Sequence, residues 1–272
     1  MTQSEKAEQF RALHHGPAPL VLPNVWDAAS ARIVEELGFP ALATTSAGVA
    51  YSLGYPDGQR ISRDEMLAAV RRIVAAVRIP VSADIEAGYG DTPEAVAETI
   101  RAVLAAGAIG VNLEDALADV HLQEERIRAA REAARAAGIP LVLNARTDVY
   151  LRSAGDEKAR FDDAVRRLNA YLAAGADCAF PVGARDPRLI SALVGAIQGP
   201  VNVMAGPGAP SISELQSLGV ARVSFGAALA RAAMGLTRRI ARELLRSGTY
   251  TSFPEDTIPS AEANRLFDKT GR

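Results

Sequence analysis

Residues 80–115 read PVSADIEAGYGDTPEAVAETIRAVLAAGAIGVNLED. An apolar run from Pro80 ends in two carboxylates, Asp84 and Glu86, and a turn rich in Gly and Asp follows. From Thr92 to Ala106 apolar residues recur at helical spacing, and a second apolar run, Gly110 to Asp115, again ends in carboxylates. The unit is strand, helix, strand, and the rest of the chain repeats it.

Working outward, the same kind of run occurs at 19–25 (PLVLPNV), 41–46 (ALATTS), 140–148 (PLVLNARTD), 178–183 (CAFPVG), 200–206 (PVNVMAG) and 221–226 (ARVSFG), which makes eight strand candidates in all. Segments with an amphipathic helical pattern separate them, among them DAASARIVEEL, LQEERIRAAREAARAA and ALARAAMGLTRRIARELL. Ser62, Thr92 and Ser211 stand where helix N-caps are expected, with Glu65 and Glu214 three residues after the first and last. Strand–helix alternation repeated eight times predicts a closed (β/α)8 TIM-type barrel rather than an open doubly wound sheet, and 272 residues suit one such domain of roughly 250 residues. Residues 1–246 are assigned to the barrel with its N-terminal helix, and 247–272, rich in turn formers, to a C-terminal extension.

Charge excludes some partners. Lys+Arg (30) and Asp+Glu (32) are spread evenly to a net −2, so no basic stripe invites nucleic acid. The polar N-terminus has no apolar signal core and no continuous apolar span reaches bilayer length, so a cytoplasmic location with no membrane association is expected. The single cysteine, Cys178, lies in an apolar run and is expected to be a packed core residue. Lysine occurs only at positions 6, 158 and 269, none at a strand end, which argues against a Schiff-base aldolase.

A barrel places its chemistry at the carboxyl ends of its strands. Those ends carry Asn24, Trp26 and Asp27; Thr44, Thr45 and Ser46; Asp84 and Glu86; Asn112, Glu114 and Asp115; Asn144, Arg146 and Asp148. Like charges gathered at a barrel mouth are costly unless a cation joins them. With no His or Cys in the cluster, the cation expected is a hard one such as Mg²⁺, with Mn²⁺ as the other candidate. Asp84 and Glu86, two apart on a strand, are expected to point the same way. The small-residue turn TTSAG (44–48) offers the backbone N–H groups of Ala47 and Gly48 to a carboxylate or oxyanion.

Taken in order, PNVWDAASARIVEELGFPALATTSAGVAYSLGYPD, ADIEAGYGD, VNLEDA and NARTD resemble the isocitrate lyase and phosphoenolpyruvate mutase superfamily, from about Leu20 to Arg246. The resemblance implies a barrel that assembles as a homo-oligomer, a dimer or a tetramer of swapped dimers in which a C-terminal helix packs on the neighbouring subunit. It also implies Mg²⁺ and a substrate bound as a 2-oxo acid or enolate. By that resemblance Asp84 is the direct metal ligand, while Asp57, Glu86 and Glu114 hold the metal's waters, and Glu86 stands where many members carry aspartate. Ser46, Ala47 and Gly48 resemble the clamp for the substrate's carboxylate and carbonyl. Arg146 resembles the arginine that stabilises negative charge, with Asp57 and Glu114 as its catalytic companions, and Trp26 is either a pocket wall or a core aromatic.

The loop after Glu114 departs from the superfamily. It reads EDALADVHLQEERI, without the cysteine or lysine that the isocitrate and methylisocitrate lyases carry there and without the lysine and asparagine of the phosphonopyruvate-processing members. Loss of CO₂ from a 2-oxo acid needs no protein base to begin, whereas retro-aldol cleavage does. The expected activity is therefore a metal-dependent carbon–carbon lyase resembling oxaloacetate decarboxylase. The readings left beside it are a retro-aldol or retro-Claisen lyase of a substituted malate or methylisocitrate, with metal-linked water, Tyr51, Asp115 or His121 as base; a phosphonopyruvate-processing enzyme; and a non-catalytic barrel that binds 2-oxo acids.

Overall fold

The computed structural model describes residues 1–153 and 155–268; Lys269 and the last residues of the expected extension lie outside them. The first apolar run is split at Pro23, which has no N–H to give to a ladder, into β1 (Leu20–Leu22) and β2 (Asn24–Val25). The other strands are β3 (Leu42–Thr44), β4 (Val81–Asp84), β5 (Gly110–Glu114), β6 (Val142–Thr147), β7 (Cys178–Pro181), β8 (Asn202–Met204) and β9 (Arg222–Ser224). Strands β2 to β7 pair in sequence order, a bridge between Ala179 and Val201 links β7 to β8, and β9 lies between β8 and β1, all in parallel. Because β1 and β2 are two halves of one run, each facing a different neighbour, the wall closes into the expected barrel.

The helices are α1 (Gln3–Ala12), α2 (Ala28–Glu36), α3 (Ser46–Ser52), α4 (Arg63–Ala76), α5 (Pro93–Ala105), α6 (Val120–Ala136), α7 (Val149–Arg152), α8 (Glu157–Ala173), α9 (Pro187–Ala196), α10 (Ile212–Ser217), α11 (Ala228–Ser247) and α12 (Ser260–Phe267). Ser62 and Ser211 cap α4 and α10 in reciprocal boxes with Glu65 and Glu214, and Thr92 caps α5 ahead of Pro93. Two short helices, α3 and α7, occupy what the sequence presents as strand-end turns.

Helix α1 seals the bottom of the barrel. Its Phe10 is fully buried with Leu20, Leu22, Ile109 and Val142, and a Cβ added at Gly110 would stand 2.8 Å from the Phe10 ring. Glycine at the start of β5 therefore makes room for the plug. Beyond the barrel, α12 rests on α2 of its own chain, where Arg32 Nε donates to the Leu266 carbonyl at 2.6 Å. Cys178 is fully buried, as expected, and burial pushes its thiol up to about 12. No helix of the described residues is long and apolar enough to cross a membrane.

Candidate active site

Strand β4 delivers Asp84 to the mouth of the barrel, where its two carboxylate oxygens have different partners. Oδ2 accepts the Ser46 N–H at 2.9 Å, because α3 starts immediately after β3, with Thr45 as its cap, and aims its first N–H across the mouth. Oδ1 accepts the Asn112 amide at 3.0 Å from β5. The backbone N–H of Asp84 donates to Thr44 Oγ1 at 2.8 Å, which fixes the strand end. Asp57, on the exposed loop between α3 and α4, accepts the Ser46 hydroxyl at 3.4 Å.

Glu86 reaches the same place by a different route from the one its spacing predicts. Strand β4 stops at Asp84, and Glu86 sits beyond it at φ 50, in the left-handed region, so alternation along a strand does not orient it. The turn is held from the α3–α4 loop. Gln59 gives its backbone N–H to Glu86 Oε2 at 2.5 Å and takes the N–H groups of Ala87 and Tyr89 on its own side-chain oxygen, each at 3.1 Å. The Tyr89 hydroxyl donates to Glu86 Oε1 at 3.3 Å. Burial, followed by the negative charges of Asp84 and Asp57, pushes the Glu86 carboxyl up to about 7. Neither Gln59 nor Tyr89 carries a signal in the sequence, since their roles arise from two loops meeting.

Glu114 and Arg146 stand opposite each other on β5 and β6. Arg146 Nη1 meets Glu114 Oε2 at 2.6 Å and its Nε donates to Asp148 Oδ1 at 2.7 Å. Arg152, on α7, closes the network at 2.7 Å from Asp148. Burial pushes Glu114 up to about 8 although Arg146 pulls the other way. Burial also opposes the Arg146 charge, yet Glu114 and Asp148 hold its pKa above the ordinary guanidinium value.

A narrow cavity of about 50 Å³ runs inside the barrel past Asn24, Asp84, Asn112, Arg146 and Ser224, and of the charged groups just described Asp84 and Arg146 line it. Trp26 and Gly48 line a neighbouring cavity instead, against Ala230 and Met234 of α11, and a Cβ on Gly48 would stand 2.9 Å from that of Trp26. Ser46 and Ala47 are buried beside them. Two side chains considered as bases are placed elsewhere. Asp115 is fully buried and accepts from Thr147, Tyr171 and Arg167 at 2.7, 2.9 and 3.2 Å, which makes it a structural hub beneath the loop. His121, with its side chain 74 % exposed, faces Glu124 and Glu125 on the outside of α6.

The donor chemistry fits a hard cation. The candidate ligand side chains, Asp57, Asp84, Glu86 and Glu114, offer only oxygen, and no group of three His, Cys, Asp or Glu able to enclose an ion is assembled among the described residues. Mg²⁺ needs no such cage, since it takes one or two carboxylates and keeps several waters. Asp84 is the carboxylate at the centre, and while burial is the main cause that raises Glu86, the added repulsion from Asp84 and Asp57 is what a cation there would relieve.

Comparison with known proteins gives the family and the fold. A Burkholderia cenocepacia J2315 protein known only provisionally as a lyase/mutase superposes with a TM-score of 0.91 at 46 % identity, covering 98 % of this chain and 97 % of its own. Oxaloacetate acetylhydrolase, solved with its product oxalate, superposes with a TM-score of 0.85 at 28 % identity over 97 % and 94 % of the two chains. An oxaloacetate decarboxylase of Rhodopseudomonas palustris is 31 % identical over 212 residues, 76 % of this chain and 73 % of the relative. The family description phosphoenolpyruvate phosphomutase matches residues 10–245. The chain belongs to that family, within the isocitrate lyase and phosphoenolpyruvate mutase superfamily of barrel enzymes.

Proposed function

We propose that this protein is a divalent-metal-dependent carbon–carbon lyase of small 2-oxo acids, decarboxylating oxaloacetate or a close analogue through an enolate. One observation carries the reading: Asp84 and a twice-anchored Arg146 line one cavity, while the loop after Glu114 places no lysine, cysteine or free carboxylate beside it. The relatives named as oxaloacetate enzymes support the substrate class.

Asp84 would hold Mg²⁺ or Mn²⁺, with Glu86, Glu114 and Asp57 around its waters. When bound, the metal supplies a Lewis acid for the substrate's oxo group. The protein's own groups orient and stabilise. Of the three N–H groups at the start of α3, Ser46 gives its own to Asp84 and Gly48 to Thr45, so Ala47 is the member engaged by neither and is the one to receive a substrate oxygen. Arg146, fixed by Glu114 and Asp148, presents its guanidinium to the negative charge that develops as the bond to the departing carboxylate breaks. The bond's electron pair becomes the enolate, CO₂ leaves, and a proton from water completes pyruvate.

The same reading extends to assembly. Helix α11 leaves Leu229, Met234, Leu244 and Leu245 exposed, and a second copy of the chain, in a dimer or in the swapped tetramer expected of the superfamily, would cover that face.

The test is pyruvate release from oxaloacetate, with phosphonopyruvate, methylisocitrate and alkylmalates as competing candidates, at a fixed Mg²⁺ concentration and against the rate of Mg²⁺ alone. Turnover above that background, lowered at least about a hundredfold by Asp84→Ala, is the expected result. No turnover of any compound would remove the enzyme reading, and full turnover by Asp84→Ala would remove the metal assignment.

A further inference from the structure

The interior of the barrel below Asp84 is polar rather than packed with branched aliphatic side chains, the usual filling of such barrels. Asp84, Asn112 and Asn144 are register partners on β4, β5 and β6, so their side chains form one row across three adjacent strands. Asn112 Nδ2 donates to Asp84 Oδ1 at 3.0 Å, and Asn144 Nδ2 donates to Asn112 Oδ1 at 2.9 Å. The direction of the row is forced. A carboxylate only accepts, so Asn112 must present its NH₂ to Asp84; its oxygen then faces Asn144, which must present its own NH₂ in turn.

We propose that Asn144 is a positioning residue that acts on Asp84 through Asn112, and that the lower end of the row is completed by water held at Arg222. The inference rests on Asp84 being the metal ligand of the proposed function. Its structural basis is separate. Asn144 is fully buried, and its Oδ1 has no hydrogen-bond partner among the described residues. The same holds for Ser82 Oγ, Asn202 Oδ1 and Arg222 Nε, and all four residues line the cavity that contains Asp84. Arg222 is only 2 % exposed, and the one hydrogen-bond partner of its guanidinium among the described residues is a neutral imidazole, His14 Nε2, at 3.5 Å. Orphaned acceptors and an orphaned cationic donor lining one cavity suit water, which serves both, whereas an anion would meet the two amide oxygens there.

Outer partners of metal ligands fix carboxylate orientation, and their loss typically weakens metal binding tenfold to a hundredfold. Mn²⁺ alone is the probe, its binding followed by electron paramagnetic resonance so that turnover is not needed. Asn112→Leu, which removes the direct partner of Asp84, is expected to raise the Mn²⁺ Kd at least about tenfold. Asn144→Leu, and Asn144→Ala in case the larger side chain crowds the cavity, should raise it in the same direction by less, and the double variant Asn112→Leu/Asn144→Leu should be no weaker than Asn112→Leu alone, because Asn144 reaches Asp84 through Asn112. A parent-like Kd in both Asn144 variants, or additive losses in the double variant, would overturn the proposal while leaving the metal reading intact. Failure of the parent to bind Mn²⁺ would overturn the metal reading itself. A crystal structure of the parent should show water within hydrogen-bond distance of both Asn144 Oδ1 and Arg222 Nε; a dry gap, or an anion in that position, would overturn the lower half of the row.

Discussion

Single residues divide the acidic cluster into groups with different work. Asp115 and Glu114 are neighbours in sequence and both are buried, yet Glu114 faces Arg146 at the cavity while Asp115 turns to Thr147, Tyr171 and Arg167 behind it. Glu114 is the last residue of β5, and Asp115 lies just past the strand end, where its N–H donates to the Arg146 carbonyl at 3.0 Å and its side chain meets groups behind the wall. Removing one member of a buried charged pair leaves the other uncompensated, so Asp115→Ala should destabilise the protein by about 3 to 5 kcal/mol in urea titration. An unchanged midpoint would contradict the structural role. Asp84, Arg146 and Glu114 were legible as a group because each closes an apolar run. Gln59 and Tyr89 were not, because their partners come from a loop far off in sequence.

Elements show how locally encoded structure is put to use. The caps at Ser62, Thr92 and Ser211 depend on residues within one helical turn, and the structure has them where the sequence places them. Helix α1 is different, because its pattern says helix and nothing about where the helix docks. It plugs the barrel with Phe10, and the next turn lays His14 against Arg222. Burial, and then the Arg222 charge, lower the His14 pKa from the ordinary 6.5 to about 3. The folded state thus disfavours the protonated imidazole. Its contribution to stability is complete above about pH 6.5 and is lost as the pH falls toward 3, by roughly 4 kcal/mol at the lower end. Stability measured across that window should fall less steeply in His14→Gln than in the parent; identical slopes would show that this imidazole is not the source.

At the scale of the whole molecule, α11 meets its own barrel mainly near its N-terminal end, where Ala230 is buried beside Gly48. That helix is strongly amphipathic, and its exposed Leu229, Met234, Leu244 and Leu245 form an apolar face of a kind that usually marks an interaction surface. Light scattering on the purified protein is expected to give a dimer or tetramer, and Met234→Glu together with Leu245→Glu is expected to shift it toward the monomer. A parent that is monomeric at micromolar concentration would remove the assembly reading.

The sequence by itself determined the repeating strand–helix order, the closed barrel that the order implies, the helix caps and the carboxylates at the strand ends. These follow from periodicity, local hydrogen bonding and chain order, which act over a few residues or over the succession of elements. Only the tertiary structure decided that the first strand splits at Pro23 to close the wall and that Glu86 enters through a left-handed turn held by Gln59. It also decided that Asp115 is structural, and that Asn112 and Asn144 link Asp84 to a polar interior above Phe10. Each of those depends on which side chains meet across strands and loops distant in sequence, and burial and hydrogen-bond satisfaction set that choice once the barrel is closed.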